Sequence, residues 1–185
     1  MVAKADVDDD TQLGIIPVYM LTDNFALELL AATPFEHDIE ARGQGAIKGL
    51  NLDAGSTKHL PPTLSVQWYP RGGKDGWQPY LGLGVNYTVF FDEDVDNELK
   101  DTLKVLYPGV DDADLDLDDS WGIAAQAGFD FPINDRWAFN VGVWYIDIDT
   151  EAEISVKSGG TTAGKVKFDV ELDPWVYNVG IAYKF

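Results

Sequence analysis

The chain ends Tyr177-Asn178-Val179-Gly180-Ile181-Ala182-Tyr183-Lys184-Phe185, and the reading of those nine residues decides the fold. Every odd position is large and apolar, every even position is small or polar, and the last residue is aromatic. Strict alternation describes a β-strand with one apolar face. Six other stretches keep the same period: residues 13–21, 25–35, 60–68, 81–91, 121–133 and 137–145. All seven are roughly 9 to 13 residues long, which suits tilted membrane-spanning strands; soluble strands average about 5 to 6.

The faces opposite the apolar ones separate a membrane barrel from a soluble one. They read Gly82, Gly84, Asn86, Thr88; Gly122, Ala124, Gln126, Gly128; Ala138, Asn140, Gly142, with Glu28, Asp130 and Lys184 the chief charges within strands. Small, neutral residues suit the crowded interior of a narrow barrel. A soluble barrel would present charge on that face. The expected fold is therefore all-β, an antiparallel transmembrane β-barrel, with residues 1–185 as a single domain.

Composition agrees. No apolar run approaches the roughly 20 residues of a membrane helix. Cysteine is absent, which removes disulfides, thiol nucleophiles and thiolate metal sites. A net charge of −19 argues against nucleic acid as a partner. Two histidines and no cysteine leave little for a catalytic triad or a metal hydrolase, so no enzyme activity and no cofactor are expected.

Short turns at 22–24, 70–76 and 132–135 alternate with long polar connections at 36–58, 92–119 and 147–173, the outer-membrane pattern of periplasmic turns and extracellular loops. The aromatics fit two interfacial belts. Trp68, Tyr69, Trp77, Tyr80, Trp137, Tyr183 and Phe185 lie toward the short turns; Tyr87, Phe90, Phe91, Trp121, Tyr145, Trp175 and Tyr177 lie toward the long connections. Counting back from the C-terminus through seven strands places residues 1–10 at the end of a first extracellular loop. Even strand numbers then call for one upstream strand, and a signal sequence, in a complete eight-stranded barrel.

Several motifs closely resemble the OmpW family, and most of all its OprG-like branch. They are Ala31-Ala32-Thr33-Pro34-Phe35-Glu36-His37, His59-Leu60-Pro61-Pro62-Thr63-Leu64, Gln67-Trp68-Tyr69, the run from Pro79 through Phe91, Asp119-Ser120-Trp121-Gly122, Trp144-Tyr145-Ile146-Asp147-Ile148-Asp149-Thr150 and Asp173-Pro174-Trp175-Val176. The resemblance implies a Gram-negative outer-membrane barrel with a narrow hydrophobic lumen. It further implies passive uptake of small hydrophobic molecules through an opening in the wall. Implied partners are outer-membrane lipid and lipopolysaccharide, the barrel assembly machinery through Phe185, and small hydrophobic solutes. A surface receptor or structural barrel without transport is the alternative.

Strand parity points Leu30 and Trp144 inward among small neighbours, and the resemblance places a lumen constriction at these positions. The same contacts would also simply fill a small barrel. Ile16, Val18 and Met20 share the inward parity and extend an apolar stripe, which would exclude ions by dewetting. Pro34 and the pair Pro61-Pro62 fall on neighbouring strands near the long-loop rim. Lacking N–H donors, they should leave their seam poorly paired, as a lateral gate. His37 and His59 read as loop anchors rather than a two-ligand metal site. Asp112, Asp114, Asp116 and Asp118 share one strand face, opposite Leu115 and Leu117; without the glycine and glutamate of an EF-hand they read as a solvated extension.

Overall fold

The computed structural model describes residues 5–6, 11–42, 51–106 and 109–185. Its strands are β1 (Ala5–Asp6), β2 (Gly14–Ile15), β3 (Val18–Met20), β4 (Phe25–Ala32), β5 (Phe35–Arg42), β6 (Asn51–Leu60), β7 (Thr63–Trp68) and β8 (Gln78–Val95). The helix α1 (Asn97–Leu106) follows, then β9 (Asp112–Leu117), β10 (Ser120–Pro132), β11 (Trp137–Ile146), β12 (Asp149–Ser158), β13 (Thr161–Glu171) and β14 (Trp175–Tyr183). Every ladder is antiparallel.

Each alternating stretch of sequence becomes one stave of a curled sheet. The staves run in the order β2–β3, β4–β5, β6–β7, β8, β10, β11, β14. The first three are broken where a proline removes a donor: at Pro17 between β2 and β3, at Pro34 between β4 and β5, and at Pro61-Pro62 between β6 and β7. The remaining four are continuous. Of residues 1–10, only Ala5–Asp6 lies among the described residues; it pairs with Glu40 and Ala41 of β5.

The wall is inside out relative to a water-soluble protein. On β7, Thr63, Ser65 and Gln67 are buried while Leu64, Val66 and Trp68 are exposed. Asn86 and Thr88 are fully buried, whereas Leu83, Ile123 and Val179 are 73%, 68% and 78% exposed. A continuous exposed apolar band around a polar interior needs lipid as its outer solvent. Tyr69, Tyr80 and Phe90 correct the belt assignment. Their rings are buried at 7%, 4% and 6% exposure because their parity is that of the inward set. Tyr87, Trp121, Trp137, Trp175, Tyr177 and Tyr183 do face outward.

Glycines in the wall seat the large inward side chains. A Cβ on Gly128 would stand 2.4 Å from the Tyr80 ring, and one on Gly82 would stand 2.6 Å from Gln126. Gly180, also on an inward position, has nothing within 4 Å.

The long connections are more ordered than loops. β5 as far as Arg42 and β6 from Asn51 continue the wall; residues 92–119 hold α1 and β9; residues 147–173 hold the β12–β13 hairpin. β9, β12 and β13 form a separate three-stranded sheet. Its inner face carries Ala113, Leu115, Leu117, Ala152 and Val170, all buried. Its outer face carries Asp112, Asp114 and Asp116, with Lys157 on Asp114, Lys165 on Glu153 (2.5 Å) and Lys167 on Glu151 (2.5 Å). The inner face joins Val95, Ile148, Ile146, Trp144 and Leu30 in one apolar cluster, so the sheet caps the lumen.

Two predictions follow from this packing. Gly128→Ala should lower barrel stability by roughly 1 to 3 kcal/mol, because its Cβ would meet the Val141 carbonyl of the wall as well as the Tyr80 ring. Gly180→Ala should leave it unchanged; the temperature of the heat-induced gel-mobility shift reads both. The second concerns acid. Asp112 is held below its ordinary value of 3.8, first by the Ala113 N–H and then by Lys100, and Glu153 below 4.5, first by Lys165. Such stabilisation is present above the ordinary values and is lost as pH falls through the lowered ones. Below about pH 4, amides of β9 and β12 should exchange with deuterium faster, while those of β10 stay protected.

Candidate functional site

Inside the staves lies a cavity of about 1650 Å³ that holds two kinds of surface. Toward the cap, Leu30 (7% exposed), Trp144 (2%) and Ile146 (0%) form its apolar part. The ladders place them: Leu30 lies opposite Thr63, and Trp144 lies between Gln126 and Val176. The structure therefore brings the two predicted constriction residues into one apolar cluster. Ile16, Val18 and Met20 line the same cavity, Val18 opposite Glu28 and Met20 opposite Ala26. Val18 and Met20 remain 45% and 47% exposed because β3 is an edge: among the described residues no ladder joins it to β14.

Below Trp144 the lumen turns polar, which an apolar stripe alone did not anticipate. The Glu28 carboxylate is 5% exposed and accepts from two amides, Gln126 Nε2 on Oε1 (2.7 Å) and Gln67 Nε2 on Oε2 (2.6 Å). Gln126 Nε2 also donates to Ser65 Oγ (2.6 Å), and Gln67 Nε2 to Gln126 Oε1 (3.2 Å). All four amide hydrogens of the two glutamines are thus used. The Tyr69 hydroxyl sits 3.2 Å from both Gln67 Oε1 and Asp130 Oδ2. Asn140 Nδ2 donates to Asp130 Oδ1 (2.7 Å) and Tyr80 Oη (3.1 Å), and Asn178 Nδ2 to Asn140 Oδ1 (2.6 Å). This network crosses from β4 to β14 and forms a floor.

The prolines interrupt one seam. The β4–β7 ladder ends at Leu30↔Thr63, and the β5–β6 ladder begins at Phe35↔His59. Between them no described pair joins the two staves. Pro61 is buried and lines the cavity, while Pro34 and Pro62 face outward. The backbone there turns to its other neighbours: Thr33 N–H donates to Leu13 (3.0 Å), and Tyr87 N–H to Pro62 (3.1 Å). Pro17 belongs to the same weak zone, and its carbonyl accepts from Leu29 N–H (3.1 Å). Its missing donor is visible in the sequence.

His59 is buried with its ring stacked on Phe35 (5.6 Å) and tilted against Phe90 (5.7 Å), an anchoring position. The side chain of His37 lies outside the described residues. The carboxylates of Asp147, Asp149 and Asp173 come within 4.8 Å of one another where the cap meets the wall. Asp173 there accepts the Ile148 N–H (3.3 Å). Gln67, Gln126, Tyr69, Tyr80 and Asn140 went unremarked as a site; their shared inward parity was the available signal.

An antiparallel wall with polar residues in, apolar residues out and aromatic rims is a membrane barrel, and its sequence places it further. The chain belongs to the OmpW family. The model of that family matches residues 1–185. Outer membrane protein W of Vibrio cholerae is 45% identical over 179 residues, 97% of this chain and 76% of that protein. The crystal structure of the outer membrane protein OprG from Pseudomonas aeruginosa matches with a TM-score of 0.83 at 46% identity, covering 99% of this chain and 81% of that one. A more distant relative, 25% identical over 182 residues (98% of this chain, 75% of that protein), is the dibenzothiophene metabolism operon protein PahQ of Pseudomonas aeruginosa. This OmpW-family chain is an outer-membrane β-barrel of a Gram-negative bacterium.

The glutamine clamp is testable by removing one side of it. Gln126→Leu should cost about 2 to 3 kcal/mol, since it leaves the Glu28 carboxylate short of a donor in a buried site. Adding Glu28→Leu should recover most of that loss. Unfolding of the refolded barrel in urea measures all three chains.

Proposed function

We propose that this barrel conducts small hydrophobic molecules passively, from the cap side into the apolar half of the lumen and out through the wall. The observation that carries this reading is the juxtaposition of Leu30 and Trp144 with the unjoined stretch of the β4–β5 and β6–β7 staves. A greasy solute at Trp144 meets a hydrogen-bonded floor below and an interrupted ladder beside it. Entering the floor means separating buried polar pairs without replacing them, whereas leaving sideways delivers the solute to hydrocarbon. Pro34, Pro61 and Pro62 keep that side from zipping shut. PahQ, named for a dibenzothiophene operon, supports a bulky apolar cargo for relatives of this kind.

A barrel that only docks partners would rely on the charged outer face of the β9–β12–β13 sheet, and the same variants separate the two readings. Pro61→Ala with Pro62→Ala restores donors to the seam and should slow entry of a hydrophobic solute into proteoliposomes severalfold, with surface binding unaltered. An unchanged rate defeats the lateral route. Trp144→Ala empties the constriction and should raise flux; equal or lower flux removes Trp144 from that role.

A further inference from the structure

The cavity has an apolar end and an acidic end, and only the first is used by the reading above. Glu28 and Asp130 both line it, and among the described residues neither forms an ion pair. The basic side chains that line the same cavity stand elsewhere. Lys74 and Arg136 lie in the short turns, Lys184 follows the end of β14, and His59 is held between aromatic rings toward the cap. The two carboxylates stand at the ends of one hydrogen-bond chain through Gln67 and Tyr69. That level adjoins the constriction directly. Gln126, which donates to Glu28, is the cross-strand partner of Trp144, and Glu28 and Leu30 are successive inward residues of β4.

We propose that Glu28 and Asp130 select solutes by head-group charge, so that the cavity takes amphiphiles whose apolar chain lies at Leu30 and Trp144 and whose head is an ammonium or hydroxyl, and disfavours carboxylates. Each carboxylate oxygen has a second lone pair with which to accept a donor from the head. An anionic head brings no donor and meets two like charges in a site of reduced dielectric. The amide hydrogens of Gln67, Gln126 and Asn140 are already committed to Glu28, Asp130 and their neighbours.

The inference rests on the cavity being a solute site, and a binding measurement separates it from transport. Decylamine, decanol and decanoate are titrated calorimetrically at about pH 8.5, where the amine, the acid and both lumen carboxyls are charged. The barrel sits in phosphatidylcholine nanodiscs, and empty nanodiscs are subtracted. The native chain should bind decylamine about tenfold or more tighter than decanoate, with decanol between them. Glu28→Gln with Asp130→Asn should bring amine and acid to within about twofold of each other. Glu28→Gln alone, which keeps an acceptor for the clamp, should fall part-way. Equal affinities in the native chain overturn the proposal, as does failure of all three to bind above empty nanodiscs. A preference that survives in the double variant belongs to the acidic cap and overturns it too. Head-group preference without flux overturns only the transport reading; flux of an uncharged solute without preference overturns only this one.

Discussion

No water reaches a backbone amide in hydrocarbon, so each stave of this wall must find its hydrogen bonds in the stave beside it. That demand fixes antiparallel ladders along β4, β7, β8, β10, β11 and β14, and it makes every proline in the wall consequential. Pro17, Pro34 and Pro61-Pro62 break three adjacent staves at neighbouring levels, beside Leu30. The four staves without such breaks carry the continuous ladders. The weak side of the barrel is thus a local property of one group of strands, and it lies where the lumen is most apolar.

The interior obeys a second constraint, crowding. Curling so few staves leaves room for large side chains only where the facing strand offers none. Gly82 admits Gln126, and Gly128 admits Tyr80. Those two seats build the polar floor, because Gln126 reaches Glu28 and Tyr80 meets Asn140. The floor then divides the lining of the cavity, with Glu28, Asp130 and Asn140 at one end and Leu30, Trp144 and Ile146 at the other. The cap completes the arrangement, since the inner face of β9, β12 and β13 continues the apolar cluster that ends at Leu30 and Trp144.

Much of this was legible in the chain itself. The seven alternating stretches map one to one onto the seven staves, and parity correctly sent Leu30, Trp144, Ile16, Val18 and Met20 to the cavity. The Asp112 to Asp118 alternation reads as a strand with acids outward, as β9 confirms. Parity also points Tyr69, Tyr80 and Phe90 inward, and it outweighs the preference of ring-bearing residues near strand ends for the girdle. The cap strands β12 and β13, 10 and 11 residues long, resemble loop in the sequence because their residues are mostly small or charged. Such strands become stable only when a sheet closes over a buried partner face.

Period-two alternation, together with the small neutral residues on the opposite faces, determined that this chain is a membrane barrel, which side of each strand meets lipid, and which residues face the lumen, because in a strand the face of a residue depends only on whether its number is odd or even. Register across strands was not available at that level. Only the tertiary structure decided that Gln67 and Gln126, 59 positions apart, converge on Glu28. Only it decided that Trp144 stands directly above them and that the proline breaks fall side by side. Those facts depend on how far each strand slides against the next, and that stagger is set by the pairing of all the staves together rather than by any one segment.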